Sequence, residues 1–157
     1  MSFEIYRNTV QPGWIDYNGH LNDGYYAQVF SWATDEMMVR IGLGPDTRQA
    51  TRHTIYTLET HVRFIAEVKL GAMIRIVCDI VEWDRKRLRI LLTMTDESRD
   101  RVAATSEQLL ISIDQSGAEP RTAPWLPEVA TAIEELAATA GQREWPDFVG
   151  RGIALKR

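Results

Sequence analysis

The strongest constraint on the fold of this chain is a change of hydrophobic period near residue 53. Before that point, apolar side chains recur at spacings of three and four from Tyr26 to Ile41, which predicts one helix over about residues 24–41 with a buried face. After it, apolar and polar residues alternate as far as Asp114, with turn residues between the alternating runs. The pattern therefore predicts a long helix followed by an antiparallel meander of strands.

The remaining segments complete a single α+β domain. A sheet packed on one helix leaves that helix half covered unless the sheet curls around it, and the twist of long strands allows such curling. We therefore predict a curled antiparallel five-stranded sheet around the central helix, a core of about residues 1–114, and an extra C-terminal helix and arm over residues 115–157. The predicted strands cover residues 3–10, 53–64, 73–83, 88–94 and 102–114, with a loop at 46–52, a second helix at 127–140 and an arm at 142–157 anchored by Trp145, Pro146 and Phe148.

Composition excludes several classes of function. One domain is the expected count for 157 residues, and the net charge of -4 argues against a nucleic-acid partner. The single cysteine, Cys78, excludes an intrachain disulfide and a cysteine-rich metal site, and the three histidines lack metal-ligand spacing. No apolar run approaches the roughly 20 residues that a membrane span needs, so we expect a cytoplasmic protein without a membrane partner.

The loop ahead of the central helix holds the residues best suited to chemistry. Asp16 is a candidate base or nucleophile, and the backbone N–H groups of Gly19 and His20 are candidates for an oxyanion hole near the positive end of the helix. A carboxylate beside an oxyanion pocket suits the cleavage of an activated ester. The alternative is structural, in which Asp16 only caps the helix and Gly19 only makes a turn.

The segment Asp16-Tyr-Asn-Gly-His-Leu-Asn22, with Tyr25-Tyr26, resembles the hotdog-fold acyl-CoA thioesterases, and most of all their 4-hydroxybenzoyl-CoA thioesterase branch. The resemblance implies a hotdog fold and a homodimer or homotetramer with sites between subunits. It also implies that Asp16 attacks the thioester or activates water, and that no cofactor is needed. Two further segments, residues 55–61 and 104–110, resemble the betainyl-CoA thioesterases of bacterial carnitine breakdown.

Several further residues are candidates for substrate binding. Asn22 matches the small polar position of the family motif, and Tyr25 or Tyr26 matches its tyrosine; of the two we take Tyr25 as the candidate. Trp14 and Tyr17 flank Asp16, and two such rings suit a quaternary ammonium group through cation–π contacts. The alternative is that these aromatic residues only pack in the core or in a subunit interface.

Two sets of charged residues are open to two interpretations each. Glu59 and His61 share a predicted strand face with His53, Ile55 and Thr57, and they either reach the partner's Asp16 or lie on a solvated face. The basic hairpin tip either binds the phosphates of coenzyme A or is solvated. Its members are Arg85, Lys86 and Arg87.

We therefore predict an acyl-CoA thioesterase that hydrolyses a small acyl-CoA, with betainyl-CoA as one candidate. The alternative is a hotdog module that binds acyl-CoA without catalysis, as a sensor or scaffold. A hotdog hydratase or dehydratase is a weaker third reading, because its histidine and acid motif has no match in this sequence.

Overall fold

The computed structural model describes residues 2–140 and 144–155. Its elements follow the predicted order closely, with one additional helix and one additional short strand. In chain order they are β1 (Phe3–Thr9), a 3-10 turn (Pro12–Trp14), α1 (Asp23–Arg40), α2 (Pro45–Thr51), β2 (His53–Phe64), β3 (Met73–Trp83), β4 (Arg87–Asp96), β5 (Arg101–Asp114), β6 (Arg121–Thr122) and α3 (Pro127–Ala140).

The sheet is antiparallel and has the strand order β1-β3-β4-β5-β2, with the short β6 added to β5. It curls around α1, and one continuous hydrophobic cluster joins the helix to β3, β4 and β5. This is the hotdog fold, as predicted. Among the residues that the structure describes, the long strand β2 pairs only with β5, so one of its edges is open.

Helix α1 begins and ends where its local sequence dictates. The side-chain oxygen of Asn22 accepts a hydrogen bond from the N–H of Gly24 at 2.9 Å, which satisfies one of the free donors of the first turn. Gly42, at φ +87°, lies just beyond the end of the helix in the left-handed conformation that glycine adopts readily. The predicted face is buried throughout, at Tyr26, Val29, Phe30, Ala33, Met37 and Ile41.

The two faces of the sheet have different surroundings. Gln108 of β5 accepts a hydrogen bond from Thr34 of α1 at 2.9 Å, so this side chain points toward the helix. We call the face toward α1 the inner face and the opposite one the outer face. Because side chains alternate along a strand, Glu107 and Leu109 lie on the outer face.

A bulge in β2 changes which side chains share a face. The pairing with β5 shifts register between Thr57 and Glu59. Thr57 pairs with Leu110 on the inner face, whereas Glu59 pairs with Leu109 on the outer face. The predicted single face from His53 to Arg63 is therefore wrong, because the extra residue reverses the alternation halfway along the strand.

Residues 46–52 were predicted to form a loop, and this prediction is wrong for most of the segment. Pro45 occupies the first turn of α2 and Asp46 adds a carboxylate there, both of which favour a helix start. Arg52, at φ 58°, ends the helix. None of the helical residues is fully buried, so α2 lacks the apolar stripe that sequence periodicity detects.

The C-terminal part adds to both sides of the sheet. Helix α3 packs against β3, and its Val129 and Ile133 join the core cluster. The arm then reaches the outer face, where the guanidinium of Arg63 lies 4.0 Å from the centre of the Phe148 ring. Residues 142, 143, 156 and 157 of the predicted arm lie outside the described residues.

No helix within residues 2–140 and 144–155 is both long enough and apolar enough to cross a membrane.

Candidate active site

The loop before α1 is closed by Asp16 itself. One carboxylate oxygen, Oδ1, accepts the N–H of Asn18 at 2.8 Å and the N–H of His20 at 3.3 Å. The backbone of Asp16 donates to the carbonyl of His20 at 2.9 Å and accepts from the N–H of Gly19 at 3.0 Å. Gly19, at φ +77°, adopts the left-handed conformation that the turn requires. The second carboxylate oxygen of Asp16, Oδ2, has no hydrogen-bond partner among the described residues.

The predicted oxyanion donors are not free in this conformation. The N–H groups of Gly19 and His20 both point to Asp16, because the loop folds into a tight turn around that residue. The expectation that these two groups are available to a substrate is therefore corrected. Within residues 16–23, the N–H groups without an acceptor in the described part of the chain are those of Tyr17 and Asp23, and Asp23 is the first residue of α1.

The loop is attached to the connection between β2 and β3. His20 forms an isolated bridge with Lys69, and the N–H of Leu21 donates to Val68 at 2.8 Å. The ring Nε2 of His20 lies 3.1 Å from the carboxylate of Glu67. Neither Glu67 nor this pairing was predicted, since no short motif links residue 20 to residue 67.

The predicted aromatic pair around Asp16 is not assembled. The ring of Tyr17 is 97% exposed and contacts no other ring among the described residues. Trp14 instead stacks on Tyr25 with 5.9 Å between ring centres, and lies 5.4 Å from Trp32. Trp32 in turn lies 6.4 Å from Tyr6. We call these four residues the aromatic row. Tyr25 and Trp32 are seven residues apart, which places both on one side of a helix. This spacing was the sequence signal from which the aromatic row could have been predicted.

Asn22 and Tyr25, both predicted to bind substrate, have structural contacts. Asn22 is the N-cap of α1, with its side-chain oxygen bonded to Gly24 and its own N–H donated to Trp14. Tyr25 is held in the aromatic row. Their contacts place both residues at the start of the helix, beside the loop of Asp16, and leave the predicted roles toward substrate open.

Glu59 and His61 lie on the outer face, whereas the helix that follows the Asp16 loop packs on the inner face. They line a cavity of about 640 Å³ between the sheet and the C-terminal arm. Trp83, Glu107 and Arg151 also line this cavity, and Asp16 does not. The geometry places Glu59 and His61 away from the Asp16 loop of their own subunit, and their contact with the partner's Asp16 stays a prediction.

The basic hairpin tip lies at the end of the sheet opposite the Asp16 loop. The Asp16 loop contacts the connection just before β3, whereas the hairpin tip follows the end of β3. Strand β3 has 11 residues, so its two ends lie roughly 35 Å apart at the usual rise per residue. Hydrogen bonds from Arg87 lower the pKa of Asp84 to about 2, so Arg87 is paired. Nζ of Lys86 donates to Oγ1 of Thr122 at 3.5 Å. The guanidinium of Arg85 forms no ion pair or hydrogen bond with another described residue.

A curled sheet around one helix, with a carboxylate in the loop at the helix N-terminus, is the arrangement of the hotdog-fold thioesterases. The sequence model of the thioesterase-like superfamily matches residues 10–133, and the chain belongs to this superfamily. It is an acyl-CoA thioesterase, an enzyme that hydrolyses thioesters.

Known relatives agree with this assignment. The chain is 41% identical to the betainyl-CoA thioesterase of Pseudomonas aeruginosa, over 96% of this chain and 93% of that protein. It is also 38% identical to the L-carnitine dehydrogenase/betainyl-CoA thioesterase of Agrobacterium fabrum, matching 94% of this chain but only 30% of that longer protein. Among solved structures, a hypothetical protein from Staphylococcus aureus in complex with CoA superimposes with a TM-score of 0.90 at 27% identity, covering 99% of this chain and 98% of the other.

Proposed function

We propose that this thioesterase hydrolyses a small acyl-CoA, with betainyl-CoA as the first candidate, and that Asp16 performs the reaction. The observation that supports the role of Asp16 is that only one of its two carboxylate oxygens accepts hydrogen bonds from the loop. Oδ1 is committed to the loop, whereas Oδ2 has no partner among the described residues, in the loop that leads into α1. The relatives named for betainyl-CoA support the substrate.

Either of two routes uses this oxygen. Oδ2 can attack the thioester carbonyl and form a mixed anhydride while the thiolate of coenzyme A leaves, after which water hydrolyses the anhydride. Alternatively, Oδ2 takes a proton from a water molecule that attacks the carbonyl directly. Both routes yield the free acid and coenzyme A. A thioester is already activated, so the proposal requires no cofactor.

The negative charge that develops on the carbonyl oxygen needs a donor, and the best candidate is the N–H of Asp23. This N–H is the first of α1 and has no acceptor in the described part of the chain. The partial positive charge of a helix N-terminus adds to its effect on an oxyanion. The charge of the Asp23 side chain opposes this effect, although its Oδ1 accepts from the N–H of Gly24 at 2.8 Å.

The site is completed by a second subunit in this proposal. The free edge of β2 can pair with the same edge of another copy, and exposed apolar side chains accompany it. Antiparallel pairing reverses the partner, which brings the partner's hairpin tip to the end of the sheet that carries Asp16. Arg85 of one subunit would then approach the phosphates of coenzyme A bound at the other subunit. The exposed apolar side chains are Tyr56, Leu58, Phe64 and Ile65.

Release of free thiol from purified protein tests the proposal. Asp16→Asn should lower kcat by about three orders of magnitude or more, because removal of a nucleophile or general base typically costs this much. Asp35→Asn, an exposed position in α1, is the matched control and should be fully active. Normal turnover by Asp16→Asn would rule out the assigned role of Asp16.

Isotope labelling separates the two routes. In a single turnover in H₂¹⁸O with enzyme in excess, a mixed anhydride that water hydrolyses at the Asp16 carbonyl leaves ¹⁸O in the protein carboxylate, which mass spectrometry of the peptide detects. Label in the protein therefore identifies the covalent route. General-base catalysis places the label only in the product acid. Binding of coenzyme A thioesters with no turnover of any of them would instead indicate a module that only binds.

The choice of betainyl-CoA is tested against a neutral isostere. tert-Butylacetyl-CoA has the same shape as betainyl-CoA but lacks the positive charge. If the aromatic row contacts the quaternary ammonium, kcat/KM should favour the betainyl thioester by about 10-fold, since one cation–π contact is worth roughly 0.5–2 kcal/mol. Equal kcat/KM for the two thioesters would leave a thioesterase without charge recognition.

A further inference from the structure

Glu67, in the connection between β2 and β3, has contacts that no sequence motif accounts for. Its carboxylate lies 3.1 Å from Nε2 of His20. Its backbone carbonyl accepts a hydrogen bond from Arg101 at 2.8 Å and another from Arg99 at 3.5 Å. Arg99 and Arg101, at the turn between β4 and β5, therefore fix the backbone of Glu67, while its side chain contacts the loop of Asp16.

His20 connects Glu67 to the reactive carboxylate. The N–H of His20 donates to Oδ1 of Asp16, and its carbonyl accepts the N–H of Asp16. The ring of His20 has Glu67 as its partner. Among the described residues, this contact is the one polar side-chain contact that joins residues 16–20 to the rest of the fold.

The turn around Asp16 is therefore closed internally but weakly attached. Tyr17 and Asn18 are exposed, so packing does little to fix the turn in place. Its base is closed by the isolated bridge between Ile15 and Leu21, and its backbone is attached to the β2–β3 connection by the bridge between His20 and Lys69. A shift of the turn would displace Oδ2 of Asp16 from the start of α1, and small displacements of a reacting group have large effects on rate.

We propose that Glu67 is a positioning residue for the hydrolysis reaction: it holds the His20 ring and thereby keeps the Asp16 carboxylate aligned with the N-terminus of α1. This inference rests on the proposed catalytic role of Asp16. Glu67 acts through His20 and does not need to touch the substrate.

The size of the effect follows from exposure. The Glu67 side chain is 67% exposed and that of His20 is 26% exposed, so solvent screens their attraction. An exposed pair of this kind, worth up to about 1 kcal/mol, supports a loss of about two- to fivefold in kcat when it is broken, rather than complete inactivation.

The test compares Glu67→Gln, His20→Gln and the double variant in the free-thiol assay. Each single variant should lower kcat about two- to fivefold with KM changed by less than about 1.5-fold, since alignment affects the chemical step. The double variant should be no slower than the slower single variant, because both changes break the same contact. Thermal unfolding of each variant should stay close to that of the wild type.

Glu97→Gln is the matched control, because Glu97 forms ion pairs with Arg7 and Arg75 away from the loop residues. It should leave kcat unchanged. Wild-type kcat in Glu67→Gln, or losses that multiply in the double variant, would overturn the positioning role. The Asp16→Asn variant distinguishes the two failures: if it is inactive while Glu67→Gln is normal, only the inference about Glu67 is wrong, and if it is fully active the catalytic assignment fails first.

Discussion

At the scale of single residues, Asp16 has a structural role that differs from the predicted helix cap, because it closes its own loop while Asn22 caps α1. A loop aspartate before a helix is commonly a local cap, and it is equally suited to catalysis. Oδ1 accepts the N–H groups of Asn18 and His20 within the turn. Oδ2 remains available for chemistry. One oxygen of the carboxylate orients the other, which is a form of preorganisation that a reacting group requires.

A second residue-scale prediction concerns Cys78. Its side chain is fully buried, and burial raises the pKa of this thiol well above its ordinary range, with a further contribution from the charge of Asp79. Because the thiolate is the reactive form, the native protein should not react with Ellman's reagent, and the denatured protein should show one thiol per chain. The thiol assay then reports only coenzyme A. Rapid labelling of the native protein would contradict this prediction.

At the scale of elements, the N-cap of α1 is the side chain of Asn22, and Asp23 Oδ1 is a second acceptor for the same N–H of Gly24. The oxygen of Asn22 accepts the N–H of Gly24, so Asn22→Ala removes the N-cap. The free energy of unfolding should fall by about 1 kcal/mol, as measured by urea denaturation. Asn18→Ala is the control, because the Asn18 side chain is exposed and makes no hydrogen bond with another described residue. Equal losses in the two variants would exclude a specific capping effect.

At the scale of the whole molecule, the open edge of β2 predicts a dimer. Leu58 is 52% exposed at the bulge of this edge strand. Leu58→Lys should shift the protein toward the monomer in analytical ultracentrifugation and lower turnover, because pairing would bring two like charges close together in an apolar interface. Val39→Lys is the matched control, since Val39 is also 52% exposed but lies on α1. A wild-type monomer, or an intact dimer of Leu58→Lys, would exclude this interface.

The sequence by itself determined the elements whose side chains repeat with a regular period. The bounds of helix α1, helix α3 and the strands β3 to β5 were predicted within a few residues. Each of these elements presents a continuous apolar face to the core, and such a face produces a regular spacing of apolar residues in the sequence. The Asp16 loop was identifiable for a similar reason, since its residues are contiguous. The resemblance to the hotdog thioesterases depended on this contiguous segment.

Only the tertiary structure decided the features that depend on contacts between distant residues. The bulge in β2 moves Glu59 to the outer face, and one extra residue in a strand leaves no periodic trace. Helix α2 has no apolar stripe to reveal it. The pairing of His20 with Glu67 joins residues 47 positions apart (67 − 20), and Trp14 finds its ring partners across the loop. The spacing of apolar residues along the sequence predicts which side chains are buried. Which two distant side chains contact each other is determined only when the chain has folded around its core.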